Sequence, residues 1–142
     1  MRTVKFLKDL LKSRKFIISF IVLMAYMGVI LYLSSLPGDL LNPEKEFGFN
    51  IDASVKHFVE FSVLGVLIAN IFWQLARNTV LNRRLLTFSG SSAFSAFYGV
   101  LDEFHQYFVP TRYCTVSDVF VDTAGSITGV LIFLICVHIV KG

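Results

Sequence analysis

The sequence predicts an all-α membrane protein, with four transmembrane helices in a compact bundle and both termini in the cytoplasm. Hydrophobic residues make up 55% of its 142 residues and charged residues only 16%, which leaves too little polar surface to coat a soluble domain. The charged residues lie between uncharged runs that are long enough to cross a membrane. Lysine and arginine are concentrated in alternate connections between these runs, as the positive-inside rule requires.

Four segments are long enough to cross about 30 Å of hydrocarbon as helices. The first has no charged residue and stops at Pro37, a strong helix breaker. The second carries Glu60 near its start and Gln74 near its end, so we expect it to be the least apolar. The predicted spans are residues 16–36, 57–76, 85–106 and 117–140. They form one transmembrane domain over residues 16–140.

A basic segment over residues 1–15 precedes this domain. Val4, Leu7 and Leu11 lie on one helical stripe among lysines, which suits a short interfacial helix over residues 4–12. A basic tail that only fixes orientation explains the same residues equally well.

The distribution of positive charge sets the predicted orientation. The N-terminal segment holds six lysines and arginines, the second connection three and the C-terminus one, whereas Lys45, Lys56 and Arg112 lie on the other side. Both termini are therefore predicted to be cytoplasmic, and residues 37–56 and 107–117 to face outward. The localisation that follows is a bacterial-type plasma membrane, with several passes through it.

Small residues recur at four-residue spacing in the last two spans. Ser91, Ser95 and Gly99 do so in the third, and Gly125 and Gly129 in the fourth. Such faces let helix backbones approach closely, so we expect tight packing there.

The two cysteines do not suggest a disulfide. Cys114 lies in a polar connection, and Cys136 lies deep in the last apolar run, where a helix would place it roughly 30 Å away. We expect Cys136 to be a small buried hydrophobic residue. The sequence indicates no role for Cys114.

Polar side chains collect at the predicted outer ends of the last three spans. Lys56, His57 and Glu60 are three or four residues apart and so share one side of a helix. The third span ends in a polar block, and the fourth begins with two carboxylates at i,i+4 spacing. The candidate site residues are Ser35, Lys56, His57, Glu60, Asp102, Glu103, His105, Gln106, Arg112, Asp118 and Asp122.

Ionisable groups at the edge of the hydrocarbon region are costly unless they pair, bind a ligand or line a wet cavity. Asp102 and Asp118 are explained equally well as solvated helix-end charges and as site residues. Glu60 and Asp122 lie deeper, so we expect each to have a partner or a chemical role. For Asp122 that partner would be Lys56 or Arg112.

These residues resemble the VanZ-like family of small membrane proteins, over residues 26–130. The sequence departs from the family pattern at Thr111 and at Tyr113–Cys114, where glycine and small residues are expected. The resemblance is carried by Ser34–Pro37, by Lys56–Phe61 with Leu64 and Gly65, by Asp102–Pro110 with Arg112, and by Asp118–Asp122 with Gly125 and Gly129.

The resemblance implies a role in the cell envelope without implying a reaction. The family is named for an accessory determinant of resistance to teicoplanin, a lipid-tailed glycopeptide that binds peptidoglycan precursors. This agrees with a polar site that faces the compartment where drug and precursor meet.

The first functional hypothesis is binding of an anionic head group, on a lipid-linked wall precursor or a lipoglycopeptide. Lys56 and Arg112 would contact phosphate. The remaining polar residues would contact sugar or peptide, with Ser35, Asp102, Gln106, Asp118 and Asp122 as binding residues.

The second hypothesis is an enzyme, a metal-dependent hydrolase or transferase that acts at the outer surface of the membrane. His57, Glu60, Glu103, His105 and Asp122 are ligand types for a divalent metal, the one cofactor that the sequence suggests. Without a metal, Glu103 or His105 would be the general base, with His57 and Glu60 as further catalytic candidates.

The third hypothesis is a structural one, in which the acidic rim docks another membrane protein. Nothing indicates nucleic-acid binding, because the positive-inside rule already explains the basic N-terminus. The oligomeric state stays open.

Overall fold

The chain forms four long helices in a computed structural model, which describes residues 9–38, 51–79, 81–112 and 114–141. We number the helices α1 (Arg14–Ser34), α2 (Ile51–Leu75), α3 (Arg83–Gln106) and α4 (Val116–Lys141). A 3-10 turn, Ala76–Asn78, extends α2. The described residues contain no strand, so the all-helical class is confirmed. Of the predicted interfacial helix, only residues 9–12 are described, and they are helical; Lys45 lies outside the described residues.

Three helices are long and apolar enough to cross a membrane: Arg14–Ser34, Ser54–Asn78 and Val116–Val140. Each contains most of a predicted span, although α2 begins six residues before the predicted residue 57. Helix α3 does not qualify, because serine, threonine and glycine replace large apolar residues on its inner face. We expected the second span to be the least apolar of the four. This expectation is wrong, because the least apolar helix is α3.

Side-chain contacts define the two ends of the helix assembly. At one end, which we call the His57 end, the C-termini of α1 and α3 meet the N-termini of α2 and α4. At the opposite end, which we call the Arg83 end, Arg83 donates two hydrogen bonds to the carbonyl oxygen of Trp73 and lies 3.7 Å from the centre of its ring. Consecutive helices therefore run in opposite directions.

Helices α2 and α4 pack most extensively, and glycine makes this contact possible. A Cβ atom added to any of three buried glycines would overlap the main chain of the opposite helix. The close packing predicted at Gly125 and Gly129 is confirmed, and Gly65 contributes from α2. The three contacts are Gly65 with Ser126, Gly125 with Phe58, and Gly129 with Ser62.

Helix α3 buries its small residues and exposes its large ones. Thr87, Ser91, Ser95 and Gly99, spaced four residues apart, are all buried, which confirms the predicted packing face. Its exposed side chains are largely apolar and include Leu85, Phe94, Phe97, Val100, Leu101 and Phe104.

Helix α1 packs mainly on α2 through a narrow stripe. Phe16, Leu23 and Ile30 are buried and repeat every seven residues, the period at which a helix returns to the same partner. The Tyr98 hydroxyl also donates to the carbonyl oxygen of Met27, which ties α3 to α1.

Both cysteines are free and exposed. The prediction that Cys136 is buried is therefore wrong, because its position on α4 faces away from the other helices.

Gly129→Ala should lower the free energy of unfolding by about 1–3 kcal/mol, because overpacking forces α2 and α4 apart. Gly28→Ala is the matched control, since a Cβ there would meet nothing within 4 Å. The measurement is the thermal unfolding midpoint in a mild detergent, followed by fluorescence of the single tryptophan, Trp73. Equal midpoints for both variants would contradict the close α2–α4 contact.

Candidate functional site

The predicted polar residues at the His57 end separate into two groups. One group joins α3 and its following connection to the end of α1. The other lies between α2, α3 and α4. The two groups differ in whether their polar atoms have hydrogen-bond partners.

Asp102 belongs to the first group and has a partner for each carboxylate oxygen. Ser34 Oγ donates to Oδ1 at 2.5 Å, and Gln106 Nε2 donates to Oδ2 at 2.9 Å. All three residues are buried. Asp102 and Gln106, predicted as binding residues, therefore hold α3 against α1.

Two further predicted site residues also bind the end of α1. Ser35 Oγ donates to the carbonyl oxygen of Leu31, so it accepts from His105 Nε2 at 3.0 Å. Arg112 donates from Nε to the Leu36 carbonyl oxygen at 3.1 Å and from Nη2 to that of Leu33 at 2.9 Å. Arg112 thus binds the main chain at and just after the C-terminus of α1.

The charge of Arg112 is itself partly buried. Burial lowers the pKa of its guanidinium, while the carboxylates of Asp102 and Glu103 act in the opposite direction. Two of its nitrogens donate hydrogen bonds to main-chain oxygens at the end of α1. The main role of Arg112 in this structure is therefore to hold that end of α1, and not to bind phosphate.

The second group, which we call the three-helix cluster, is His57 of α2, Glu103 of α3 and Asp122 of α4. One potential ligand atom from each side chain lies within 4.8 Å of the other two. His57 Nδ1 and Asp122 Oδ1 are 3.1 Å apart, and Glu103 Oε2 accepts from the backbone N–H of Thr115 at 3.0 Å. Three helices thus bring an imidazole and two carboxylates together.

Two carboxylate oxygens in the three-helix cluster have no hydrogen-bond partner. They are Oε1 of Glu103, a residue 1% exposed, and Oδ2 of Asp122, a residue 0% exposed. A buried acceptor without a donor costs about 1–3 kcal/mol. Both oxygens of Asp102 have donors, whereas contacts among the described residues do not offset the cost of burying these two oxygens.

The local sequence explains how each carboxylate reaches this place. Thr115 Oγ1 accepts from the backbone N–H of Asp118 and so caps the N-terminus of α4. Glu103 binds at this helix start, where the helix dipole favours negative charge. Gly99 leaves room for Asp122, because a Cβ there would lie 3.2 Å from the Asp122 Cβ.

The remaining candidates lie outside the three-helix cluster. Lys56 is exposed, Glu60 and Asp118 are half-buried, and the Glu60 main-chain oxygen accepts from Tyr26. The expectation that Asp122 pairs with Lys56 or Arg112 is wrong, because His57 occupies that place.

Two features were missed by the sequence reasoning. Thr115, which holds Glu103, could have been found from the Thr-x-x-Asp capping pattern that it forms with Asp118. At the Arg83 end, a cavity of about 680 Å³ lies between α1 and α2. No pattern predicts that cavity, whose polar lining comprises Ser13, Lys15, Ser19, Asn70, Gln74, Arg77 and Arg83.

The connection before α4 contains a residue at which the sequence analysis expects glycine or a small residue. Thr111 has a φ of 60°, a left-handed conformation that favours glycine. Glycine is the residue that the pattern leads one to expect near this position.

Comparison with known proteins decides the family. The sequence model described as VanZ/LLP1 matches residues 16–137, which is most of the chain. The chain belongs to the VanZ/LLP1 family. The match includes all three residues of the three-helix cluster and confirms the resemblance predicted from the sequence. No curated protein and no solved structure matches the chain.

Asp102→Asn and Glu103→Gln should change stability in opposite directions. Asp102→Asn places an amide where both oxygens accept hydrogen bonds, so it should cost about 1–3 kcal/mol. Glu103→Gln keeps an acceptor for Thr115 and supplies a donor toward Asp122, so it should stabilise the protein. The measurement is the thermal unfolding midpoint in detergent with a chelator present. A loss of stability in both variants would contradict the distinction between the two groups.

Proposed function

We propose that this member of the VanZ/LLP1 family is a multi-pass envelope membrane protein that binds the head group of a lipid-linked wall precursor at an outward-facing site. The three-helix cluster is that site. The observation that carries the proposal is the pair of buried oxygens on Glu103 and Asp122 that lack donors beside His57. A ligand that supplied the missing donors or a positive charge would remove their energetic cost.

Four spans, rather than three, fit this proposal. Helix α3 has 24 residues and is therefore about 36 Å long, which is longer than the roughly 30 Å of the hydrocarbon core. Its apolar residues are exposed and its polar residues buried, as expected where the surroundings are lipid. We therefore treat residues 16–140 as one four-span domain.

The orientation rests on the distribution of charge. Arg77, Arg83 and Arg84 lie at the Arg83 end together with the basic start of α1. The positive-inside rule places that end in the cytoplasm. The His57 end then faces outward, where lipid-linked precursors present their sugars and peptides.

The chemistry of the site favours hydrogen-bond donors on the ligand. Free carboxylate oxygens accept hydrogen bonds from sugar hydroxyls or peptide amides, whereas they repel a bare phosphate. A clamp made by Lys56 and Arg112 has little support, because Arg112 binds the end of α1 and Lys56 is exposed. The proposed contacts are therefore made first by Glu103 and Asp122, with His57 beside them.

Cys114 should report the orientation. It is exposed in the connection that precedes α4, so a membrane-impermeant maleimide should label intact bacterial cells that express the full chain. Cys136→Ser should be labelled like the wild type, and Cys114→Ser should not be labelled. Labelling that required cell lysis would contradict an outward-facing His57 end.

The rate of this labelling should increase with pH. Burial raises the pKa of the Cys114 thiol above its usual value, and the charge of Glu103 raises it further. Since the thiolate is the nucleophile, the rate should rise with pH above 7 and should still be rising at pH 9. A rate already constant over that range would mean a lowered pKa and contradict this environment.

Native mass spectrometry from a mild detergent tests head-group binding. The wild type should retain a lipid adduct whose mass identifies the head group, and Glu103→Gln should lose most of it. Asp9→Asn removes an exposed carboxylate near the Arg83 end and should retain the adduct. Equal adducts in wild type and Glu103→Gln would overturn the proposal.

A further inference from the structure

The three-helix cluster contains the donor set of a metal centre. His57 offers nitrogen, and Glu103 and Asp122 offer oxygen, with the ligand atoms within 4.8 Å of one another. Catalytic metal sites commonly use three protein ligands of these kinds and leave a fourth position open. Five residues are candidate metal ligands by their type, and the structure brings three of them together.

The free oxygens provide the second, independent observation. Glu103 and Asp122 are almost completely buried, yet Oε1 and Oδ2 have no hydrogen-bond partner. The other oxygen of Asp122 contacts His57, which is itself part of the donor set, so an ion bound by Nδ1 would replace that bond. Glu103 uses its other oxygen to accept from the backbone N–H of Thr115, which lies outside the donor set. Ligating carboxylates are often held by such contacts, which fix their orientation.

The geometry requires a modest contraction. A tetrahedral ion with bonds of about 2.0–2.1 Å sets its ligand atoms about 3.3–3.4 Å apart. Ligand atoms as far apart as 4.8 Å would have to approach by somewhat more than 1 Å. Rotation of the three side chains would have to provide this movement, and at Gly99 there is no Cβ to press on the Asp122 side chain.

We propose that His57, Glu103 and Asp122 bind a divalent transition-metal ion, with Zn²⁺ as the first ion to test, and that its open position receives a phosphate oxygen of the ligand. The second half of this proposal rests on the proposed function. A nitrogen ligand distinguishes the site from Mg²⁺ and Ca²⁺ sites, which are built from oxygen alone. The ion would supply the phosphate contact that Arg112 and Lys56 do not.

The test uses full-length protein in detergent, treated with a chelator and then equilibrated with Zn²⁺. Wild type should bind one Zn²⁺ per chain and show a higher thermal midpoint with Zn²⁺ than without. Mg²⁺ and Ca²⁺ at the same concentration should not reproduce the shift. His57→Ala, Glu103→Gln and Asp122→Asn should each weaken zinc binding at least about tenfold.

The chain offers matched controls of the same residue types. Glu60→Gln and His105→Ala change side chains that are outside the three-helix cluster, so both variants should bind zinc like the wild type. Glu103→Gln keeps the comparison informative if another variant misfolds, because it is expected to be stable without metal. Zinc content equal in wild type and Glu103→Gln would overturn the proposal. Zinc binding that depended on Cys114 and not on Glu103 would also overturn it.

The two proposals can fail separately. If the wild type binds zinc through Glu103 but wild type and Glu103→Gln carry equal lipid adducts, the metal proposal stands and the head-group proposal is contradicted. A lipid adduct lost in Glu103→Gln, in protein that binds no zinc, would retain head-group binding and remove the metal. If both are correct, wild type with Zn²⁺ should retain more of the adduct than chelator-treated wild type, because the ion adds a contact to phosphate.

Discussion

The close approach of α2 and α4 is the constraint on which the His57 end depends. Gly65, Gly125 and Gly129 bring the two main chains into contact along several turns. His57 and Asp122 lie just beyond this contact, so its spacing sets their separation of 3.1 Å. An extra side chain between the helices would separate the pair by more than a hydrogen bond tolerates. The packing of small residues is therefore part of the site.

Carboxylates at this end have two different environments. Asp102 receives a donor on each oxygen and connects α3 to α1, as an ordinary buried polar group does. Glu103 is the next residue in the sequence, but it faces α4 and keeps one oxygen without a donor. A helix turns by about 100° per residue, so adjacent positions serve different neighbours. One turn of α3 therefore carries both a structural carboxylate and a candidate ligand.

The sequence predicts most of the helices because lipid imposes simple rules. Long uncharged runs predict the membrane-spanning segments, and the four-residue spacing of Ser91, Ser95 and Gly99 predicts the buried face of α3. The sequence could not pair His57 with Asp122, 65 residues away, because that contact depends on which helices become neighbours. The sequence also could not predict that Arg112 binds the main chain at the end of α1, because every residue has a carbonyl group and no side-chain pattern marks this contact. The small and polar residues on α3 also lower its mean hydropathy below that of the other three helices, which the sequence analysis does not predict.

The buried carboxylates at the His57 end make it unfavourable for a phosphate group to bind there without a cation. Asp102, Glu103 and Asp122 are all buried at this end, and Arg112 uses two of its nitrogens on main-chain oxygens. His57 bonds to one oxygen of Asp122, and the exposed Lys56 is not part of the cluster. A phosphate entering alone would approach these carboxyl groups in surroundings of low dielectric constant, where repulsion between like charges is strong. If the proposed head group binds here, a cation that enters before its phosphate or together with it would reduce this repulsion, so the proposed cation site and the proposed head-group site are compatible with the same three residues.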